Sequence, residues 1–410
     1  MIPPPSGPMD WPPHTPERRA WQQSVKRGPK ADRDLREIVV QRPPFIAEAG
    51  YTADRPLHVT MGNTVGGIAQ LDRTHRGRLG GLSQLLLRTE SVASSKIENV
   101  EASLADYGRA VMGTSANASA VSMAAATEAL QGIIRDVDRT GLIRQEALLA
   151  AHHDLFRSHP SEHHRAGKVR SVQNWIGGSD YTPRNALYVP PPPETVTDYL
   201  EDLFAFANRD DVPVIVQAAV VHAQFESIHP FIDGNGRIGR TLIHAVLRRR
   251  KVTRHLTVPI ASGLVAHREQ YFDALNDYRA GHAYTLVAML SSAMTIATHE
   301  SRRTASNLLE VRQEWDAALG PVRPGTALHR IVESLPSQPI LTADEVAERL
   351  GLSSSAAHAA ITRLHEAGVL EPSSRRQRGR VWSAQAILDE LSDLNDRIGA
   401  LSRTKSRWSE

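Results

Sequence analysis

The sequence predicts a mainly α-helical protein with one small β-hairpin and a separate C-terminal module. Apolar residues recur at helical spacing in most segments, whereas strand-like content is confined to short stretches. A glycine- and proline-rich break at 320–325 separates the last part of the chain. With 410 residues and 41% hydrophobic content, the chain is long enough for more than one core.

The central feature is the twelve-residue stretch HPFIDGNGRIGR, from His229 to Arg240. The mostly apolar run before it, residues 212–228, predicts a buried helix. The segment RTLIHAVLRRR after it has helical spacing and cationic residues in its last turn. The stretch is therefore predicted to be a loop between two helices, with the second helix opening at its end.

Glycines and arginines in this stretch predict an anion site. Gly234 and Gly236 lack side chains that would keep a ligand off the backbone, and amides at a helix N-terminus bind anions. Arg237 and Arg240 are three residues apart and share a helix face, so both can reach the same ligand.

Two further side chains indicate phosphate chemistry. Asp233 offers hard oxygen ligands of the kind that Mg²⁺ prefers when it bridges phosphates. His229 can take a proton near neutral pH. Phe231 is interpreted as a packing anchor for the loop.

The glycine spacing also fits the dinucleotide fingerprint G-x-G-x-x-G. That fingerprint requires a preceding strand and an acidic residue about 20 positions further on. Here the preceding segment is predicted to be helical, and no Asp or Glu lies between Arg240 and Glu269. No G-K-[ST] ending of a P-loop is present either, so both interpretations are rejected.

The same twelve residues resemble the H-x-F-x-[DE]-G-N-G-R-x-x-R signature of Fic-domain proteins, most of which are protein adenylyltransferases. The resemblance implies ATP as co-substrate and Mg²⁺, with His229 deprotonating a target hydroxyl that attacks the α-phosphorus. It implies a Mg²⁺ ligand and nucleotide-binding residues at Asp233, Gly234, Asn235, Gly236, Arg237 and Arg240. Asn235 and the backbone near Gly236 would hold the α-phosphate. The kinase-like branch commonly has Lys where this chain has Gly236, which favours AMP transfer over phosphate transfer.

A second stretch, Ser94-Ser95-Lys96-Ile97-Glu98-Asn99, lies in a predicted helix. Taken alone, Glu98 is an ordinary exposed helical glutamate. The stretch resembles the [ST]-x-x-x-E-[GN] inhibitory helix of Fic proteins, in the arrangement where it precedes the domain. That resemblance implies that Glu98 pairs with Arg240 and blocks productive seating of the γ-phosphate, with Ser94 on the same helix face.

Residues 169–176 have strand-like content and precede Gly177-Gly178, which predicts a short hairpin. The segment resembles the flap of Fic proteins, against which the target lies as an added strand. The implied docking residues are Val172, Trp175 and Ile176. An edge hairpin without functional consequence remains the alternative.

The C-terminal module resembles a winged helix–turn–helix. Thr342 is predicted to cap its first helix, Gly351 to end it, and residues 353–355 to open the second. DNA binding would use basic side chains of the second helix and of a Gly-tipped wing. These candidates are Arg363, Arg375, Arg376, Arg378 and Arg380. Protein contact or dimerisation is the alternative use of such a module.

Five regions are predicted along the chain. They are a disordered leader over 1–34, an N-terminal region with the inhibitory helix over 35–112, a catalytic core over 113–318, the winged helix over 320–390, and a C-terminal helix and tail over 391–410. The proline-rich composition of the first region favours disorder.

The composition excludes some kinds of chemistry and indicates a cellular location. The absence of cysteine excludes disulfides and thiol catalysis, and it suits a cytoplasmic location. The N-terminus does not read as a signal peptide, and no apolar run of ~18 residues predicts a membrane span. The net charge of +3 identifies no partner.

The leading hypothesis is an autoinhibited adenylyltransferase acting on a Ser, Thr or Tyr hydroxyl of a protein. A second hypothesis is a DNA-binding regulator whose Fic core senses nucleotide. A third is removal of AMP, in which Glu98 would orient water. The target, another donor such as UTP, and a homodimeric state all remain open.

Overall fold

The computed structural model describes residues 10–23, 27–74, 80–111, 113, 116–159, 161–373 and 380–404. The described chain is mostly helical, as predicted. In chain order its elements are β1 (Thr15–Ala20), α1 (Lys30–Arg33), β2 (Glu37–Arg42), α2 (Arg55–Thr74), α3 (Gly80–Ile97), α4 (Leu104–Val111), α5 (Ala118–Thr140), α6 (Gln145–Phe156), α7 (Val196–Ala207), α8 (Val214–Ile228), α9 (Asn235–Arg249), α10 (Ile260–Val265), α11 (Arg268–Arg279), α12 (Tyr284–Leu319), α13 (Ala327–Ser334), β3 (Ile340–Thr342), α14 (Ala343–Arg349), α15 (Ser354–Glu366), β4 (Glu371–Pro372), β5 (Val381–Ser383) and α16 (Gln385–Thr404).

Two compact units are present. The first comprises residues up to Met61, Glu128–Lys251 and Arg268–Ser291. The second comprises Gly62–Thr127, Val252–His267 and the chain from Ser292 onward. The helices α2, α5 and α12 each contribute residues to both units. The units therefore do not correspond to the predicted domain limits, which stay predictions.

The first unit is built on α8, which packs against α7, α9 and α11. Nearly every α8 residue is buried, as the apolar run predicts. Its polar side chains have partners in the core: Gln217 Nε2 donates to the Phe206 carbonyl, and Gln224 Oε1 accepts from Tyr278. Hydrogen bonding removes the cost that these amides would otherwise carry in an apolar interior.

The predicted disordered leader over 1–34 is partly wrong. Residues 15–20 form β1, which pairs antiparallel with β2, and α1 follows within the same region. Trp11 is buried, with its ring about 6 Å from those of Phe206 and Tyr278. Proline-rich composition favours disorder only when a segment has no apolar surface to bury, and this segment has such side chains.

The second unit contains α3, which packs against α10 and α16. Its C-terminal part is a winged helix–turn–helix of α13, α14 and α15 with a sheet in the order β3-β5-β4. The Thr342 hydroxyl accepts from the Glu345 amide and caps α14, and Ser353 caps α15 through the Ala356 amide. The predicted cap at Thr342 is confirmed, and the second helix opens within residues 353–355 as predicted.

Two glycines bring this module close to helices that precede it in the chain. A Cβ on Gly81 of α3 would lie 1.9 Å from Pro336 Cβ, and a Cβ on Gly108 of α4 would lie 2.0 Å from Ile340 Cδ1. Only glycine therefore allows this packing. The C-terminal helix α16 is also held within the unit, since Arg397 donates to the buried carboxylates of Glu300 and Glu390.

Candidate active site

The central motif lies at the junction of α8 and α9. His229 ends α8 in the left-handed conformation, with φ 50° and ψ 59°, and its amide donates to the Phe225 carbonyl. The helix α9 begins at Asn235, so Arg237 and Arg240 lie in its first two turns. The helix begins within the motif because Gly234 adopts φ 80° and allows a sharp entry.

The imidazole of His229 is oriented by the end of its own helix. Its Nδ1 lies 3.3 Å from the Glu226 carbonyl oxygen. When Nδ1 holds the proton and donates it there, the lone pair is on Nε2. This tautomer is the one that a general base requires at Nε2.

The loop between the helices is closed by Asn235. Its Oδ1 accepts from the Phe231 amide at 2.9 Å, and its Nδ2 donates to the Phe231 carbonyl at 2.8 Å. The resemblance implies that Asn235 holds the α-phosphate. Because both its polar atoms bind Phe231, any phosphate contact of Asn235 would come from its main-chain amide.

Phe231 is fully buried, which confirms its predicted role as the anchor of the loop. The ring stacks on His152 of α6, with centroids 3.8 Å apart and planes 7° from parallel. His152 Nδ1 accepts from the Gly167 amide, so its proton is on Nε2, 3.2 Å from the Asp233 carbonyl. Burial lowers the pKa of His152 to about 4, so the ring is neutral at physiological pH.

The N-terminus of α9 is suited to an anion. Gly234, at the N-cap position, has no side chain to cap the first turn, and a Cβ there would lie 2.6 Å from Phe156. The guanidinium of Arg237 lies over the same Phe156 ring, 5.5 Å from its centroid. Helix amides and a cation that an aromatic ring holds in place favour phosphate binding.

Arg240 is the largest of the fully buried side chains. It faces α8, where burial and then the charge of Arg240 lower the pKa of His222 to about 3. His222 is held by Tyr271, whose hydroxyl lies 2.6 Å from Nε2. A neutral histidine beside Arg240 avoids a second positive charge in the core.

Asp233 is exposed at the mouth of this region, and one of its carboxylate oxygens accepts from the Gly234 amide at 2.6 Å. Among the residues that the structure describes, no three His, Cys, Asp or Glu side chains group as metal ligands. A single carboxylate still fits Mg²⁺, which commonly takes its other ligands from water and from substrate phosphates.

The segment of residues 170–189, here called the flap, differs from its prediction. The predicted strand over 169–176 is absent, and the two arms form a single β-bridge, between Ile176 and Tyr188. Main-chain groups at the start of the flap are bonded elsewhere, because the Arg170 amide donates to the Pro230 carbonyl and the Asn174 carbonyl accepts from Gln173 Nε2. A hairpin-like loop replaces the predicted hairpin.

Arg170 and Asn174 attach the flap to the loop between α8 and α9. The buried guanidinium of Arg170 donates to the carbonyls of His229, at 2.8 Å, and Pro191, at 2.5 Å. The Asn174 amide donates to the Phe231 carbonyl at 2.8 Å. Burial lowers the pKa of Arg170 to about 10, which leaves it charged at neutral pH.

The three predicted docking residues differ in exposure. Val172 is 58% exposed, whereas Trp175 and Ile176 are half-buried. The indole of Trp175 donates to the Ser179 carbonyl and so shapes the flap itself. Leu187, which sequence reasoning missed, is 84% exposed and is the most exposed large apolar side chain described.

In the second unit, α3 ends at Ile97, and Glu98 follows in a half-buried turn. Ser94 is buried one turn earlier. Asn99 has φ 58°, and the Val100 amide returns to the Ser95 carbonyl. Glycine and asparagine tolerate this conformation best, which explains why either can follow the glutamate.

The five predicted DNA-contacting arginines are only partly described. Arg363 of α15 donates to the carbonyl of Leu319, the last residue of α12, and so braces its own unit. Arg380 lies over the ring of Trp382. Arg375, Arg376 and Arg378 lie outside the described residues.

Sequence reasoning missed His152, Phe156, Arg170 and Asn174. No spacing signal joins these residues to the motif, because their partners lie 55 or more positions away along the chain.

Comparison with known proteins supports the two resemblances. Residues 142–247 match the Fic/DOC family, and residues 328–371 match a winged helix–turn–helix DNA-binding family. An Aquifex aeolicus protein named "Probable protein adenylyltransferase" is 32% identical over 123 residues, which are 29% of this chain and 34% of that protein. "Protein adenylyltransferase Fic" of Nematostella vectensis is 36% identical over 98 residues, 23% of this chain and 20% of that one. The chain thus matches about a third or less of the length of these relatives.

The fold is similar to the crystal structure of a Fic family protein from Desulfovibrio desulfuricans G20. The TM-score is 0.51 with 21% identity, over 82% of this chain and 97% of that one. At this identity the likeness concerns the fold alone. Within the described residues, none of the helices combines the length and apolar content that crossing a bilayer requires.

Replacing His152 by Gln should weaken the pH dependence of stability. The pKa of His152 is lowered in the fold, so between pH 6.5 and about 4 only the unfolded state takes its proton. As pH falls through that window, protonation of His152 in the unfolded state should lower the free energy of unfolding by ~1.4 kcal/mol per pH unit. The free energy of unfolding should rise again as pH rises. Denaturant unfolding of wild type and His152→Gln at pH 7 and 5 measures the difference. His163→Gln, at an exposed histidine, is the control, and equal pH dependence in all three proteins would contradict the assignment.

Proposed function

We propose that this chain, which has a Fic/DOC domain followed by a winged helix–turn–helix domain, transfers AMP from ATP to a hydroxyl of a protein. The observation that supports this most directly is the geometry at His229. Its Nδ1 faces the Glu226 carbonyl, and the motif continues directly into the N-terminus of α9. A proton acceptor, His229, and the helix N-terminus suited to an anion therefore lie at the two ends of one short loop.

In the proposed reaction, His229 Nε2 takes the proton of the target hydroxyl. The oxygen forms a bond to the α-phosphorus of ATP, and the bond from that phosphorus to the bridging oxygen breaks. Pyrophosphate leaves with the electron pair. The main-chain amides from Asn235 onward, with Arg237 and Arg240, would bind the phosphates, and their charge would stabilise the negative charge that develops. Mg²⁺, held by Asp233, would neutralise phosphate charge.

The resemblance of residues 94–99 extends the proposal to regulation. Glu98 would pair with Arg240 and keep that arginine from the γ-phosphate. The fold of this segment supports the resemblance, because Asn99 adopts the left-handed conformation that the last position of the pattern accommodates. The same glutamate could instead orient a water for removal of AMP, which is the alternative activity of this site.

A second proposed activity is DNA binding by the C-terminal module. The observation that favours it is the exposed polar face of α15, formed by Ser354, Ser355, His358 and Thr362, together with the family match. A chain that bound DNA and only sensed nucleotide would not need His229. The histidine variant below therefore separates the two functions.

Replacing His229 by Ala should lower AMP transfer by about 100- to 10,000-fold, because the variant lacks the base that takes the hydroxyl proton. Affinity for ATP should change little, since the imidazole acts on the acceptor. Incorporation of label from α-labelled ATP into lysate proteins and into the chain itself measures transfer, and calorimetry measures ATP binding. His164→Ala, at an exposed histidine, is the control. Undiminished transfer by His229→Ala would contradict the assigned role.

Replacing Glu98 by Gly should raise transfer by at least about tenfold, equivalent to ~1.4 kcal/mol of activation free energy. Adding Arg240→Ala should abolish the gain, because the released arginine is then missing. Glu101→Gly removes an exposed carboxylate three residues further on and serves as the control. The inhibitory role is wrong if Glu98→Gly labels no more than Glu101→Gly does.

DNA binding by the full chain should weaken steeply as salt rises, because phosphate contacts release counterions. The change Arg380→Ala should reduce the slope of log affinity against log salt by roughly one, and Arg323→Ala, an exposed arginine before α13, should leave it unchanged. Titration of pooled genomic fragments at several salt concentrations measures both slopes. No binding at low salt would assign the module to protein contact.

A further inference from the structure

The flap is held at its far end by the N-terminal part of the chain. The N-terminal clasp, defined here as residues 15–23 and 27–42, comprises β1, α1 and β2. Both the clasp and the flap belong to the first unit. The clasp was predicted to be largely disordered, so its contacts were not expected from the sequence.

The central contact joins Asp32 of α1 to Thr182 of the flap. The Thr182 hydroxyl donates to Asp32 Oδ1 at 2.5 Å, and both side chains are almost completely buried. Hydrogen bonds from Thr182, then from Ser179, hold the pKa of the Asp32 carboxyl below its usual range. Asp32 is therefore ionised at neutral pH and forms a charge-assisted bond to the flap.

Three further contacts surround this bond. Gln23 Nε2 donates to the Tyr181 carbonyl at 3.1 Å. Gly28, at φ 82°, leaves room for the Tyr181 ring, since a Cβ there would lie 2.6 Å from it. The rings of Trp21 and Trp175 meet edge to face with centroids 6.1 Å apart.

Where the flap ends, the clasp also binds its backbone. The Gln41 amide of β2 donates to the Val189 carbonyl at 2.8 Å. Ile38 and Val40 form a small core with Val189. The clasp thus contacts the flap at its tip and at its exit, while Arg170 and Asn174 attach its start to the loop between α8 and α9.

The flap has little structure of its own to define its position. Ile176 and Tyr188 form its one described bridge, and the Ser179 amide bonds to the Arg184 carbonyl across the tip. An isolated hairpin with so few cross-strand bonds is marginally stable in water. The position of the tip relative to His229 therefore depends on what binds it from outside.

We propose that Asp32 is a positioning residue for AMP transfer: by holding Thr182 it fixes the flap in the place where a target segment lies with its hydroxyl facing His229. This inference rests on the proposed function, because it assigns the flap to the protein acceptor. Asp32 touches neither nucleotide nor acceptor and acts through Thr182. The N-terminal clasp is thereby part of the acceptor-binding apparatus.

The proposal predicts that the KM values for the two substrates respond differently. Loosening the flap should raise KM for the protein acceptor by about tenfold or more, which is ~1.4 kcal/mol of acceptor binding. KM for ATP should stay the same, because the amides and arginines of α9 are not part of the clasp. A role in general stability alone would lower the melting temperature and leave the acceptor KM unchanged.

The experiment compares full-length wild type with Asp32→Ala, Thr182→Val, the double variant, and Asp32→Asn, whose amide oxygen can still accept from Thr182. Asp34→Ala removes an exposed carboxylate two residues away and is the matched control. Hydrogen–deuterium exchange of the peptide covering 170–190 reports on the flap, and peptides from α8 and α9 report on the rest of the site. Kinetics use α-labelled ATP and, as purified acceptor, the lysate protein that wild type labels most strongly.

Asp32→Ala and Thr182→Val should each raise exchange in the flap and raise the acceptor KM, with no change in α8, α9 or the KM for ATP. The double variant should be no worse than either single variant, and Asp32→Asn should recover most of the loss. Unchanged flap exchange, or raised exchange with an unchanged acceptor KM, would overturn the proposal. If no variant, Glu98→Gly included, transfers AMP, the proposed function fails with the acceptor role, while the exchange data still decide whether Asp32 holds the flap.

Discussion

The loop between α8 and α9 depends most on the hydrogen bonds that the buried guanidinium of Arg170 donates. This guanidinium donates to carbonyls at the end of α8, those of Ile228 and His229, and to the Pro191 carbonyl before α7. Its own amide donates to the Pro230 carbonyl. The carbonyls at the end of a helix have no partner within the helix, and a cation there also complements the helix dipole. One side chain therefore satisfies the end of α8 and attaches the flap to it.

This constraint makes the conformation of His229 tolerable. A left-handed histidine costs free energy unless its surroundings impose it, and here its amide and carbonyl are both hydrogen-bonded. The following residues are held as firmly, because Asn235 encloses the backbone of Phe231 and His152 covers its ring. His229 and the start of α9 are thus held on helices and need little reorganisation.

The second unit shows a different kind of constraint. Gly81 and Gly108 allow the winged helix to pack directly on α3 and α4, and α3 leads into Glu98. Glu90, on the same helix, accepts from the Ala261 amide and so binds the start of α10. The helix that precedes Glu98 is consequently in contact with the winged-helix module on one side and with α10 on another. A displacement of either element would shift α3, because packed interiors transmit strain.

Much of the site could be predicted from the sequence, because its residues lie within one local stretch. The run from 212 to 228 has no polar face, so a buried helix was the expected outcome, and the order of His229, Asp233, Asn235 and the two arginines carried the resemblance. The caps at Thr342 and Ser353 were predictable for the same reason, since a cap bonds to an amide three residues on. A phosphate contact of Asn235 is implied by the resemblance and stays a prediction, whereas the bonds of its side chain to Phe231 emerge only from the structure.

The sequence by itself determined the helices, the caps and the central motif, because each depends on residues within a few positions of one another. Only the tertiary structure decided the role of residues 10–23 and 27–42 and the shape of the flap. Proline-rich composition indicated disorder for the leader, and strand-like residues indicated a hairpin for 169–176. The disorder prediction is wrong over residues 15–20 and 30–33, and the strand prediction is wrong for the flap. Both segments depend on distant partners, because Asp32 bonds to Thr182 150 positions away, and Arg170 and Asn174 bond to the motif. Local propensity depends on neighbouring residues and carries no information about partners this far apart in sequence. Burial with hydrogen-bonded polar groups outweighs it.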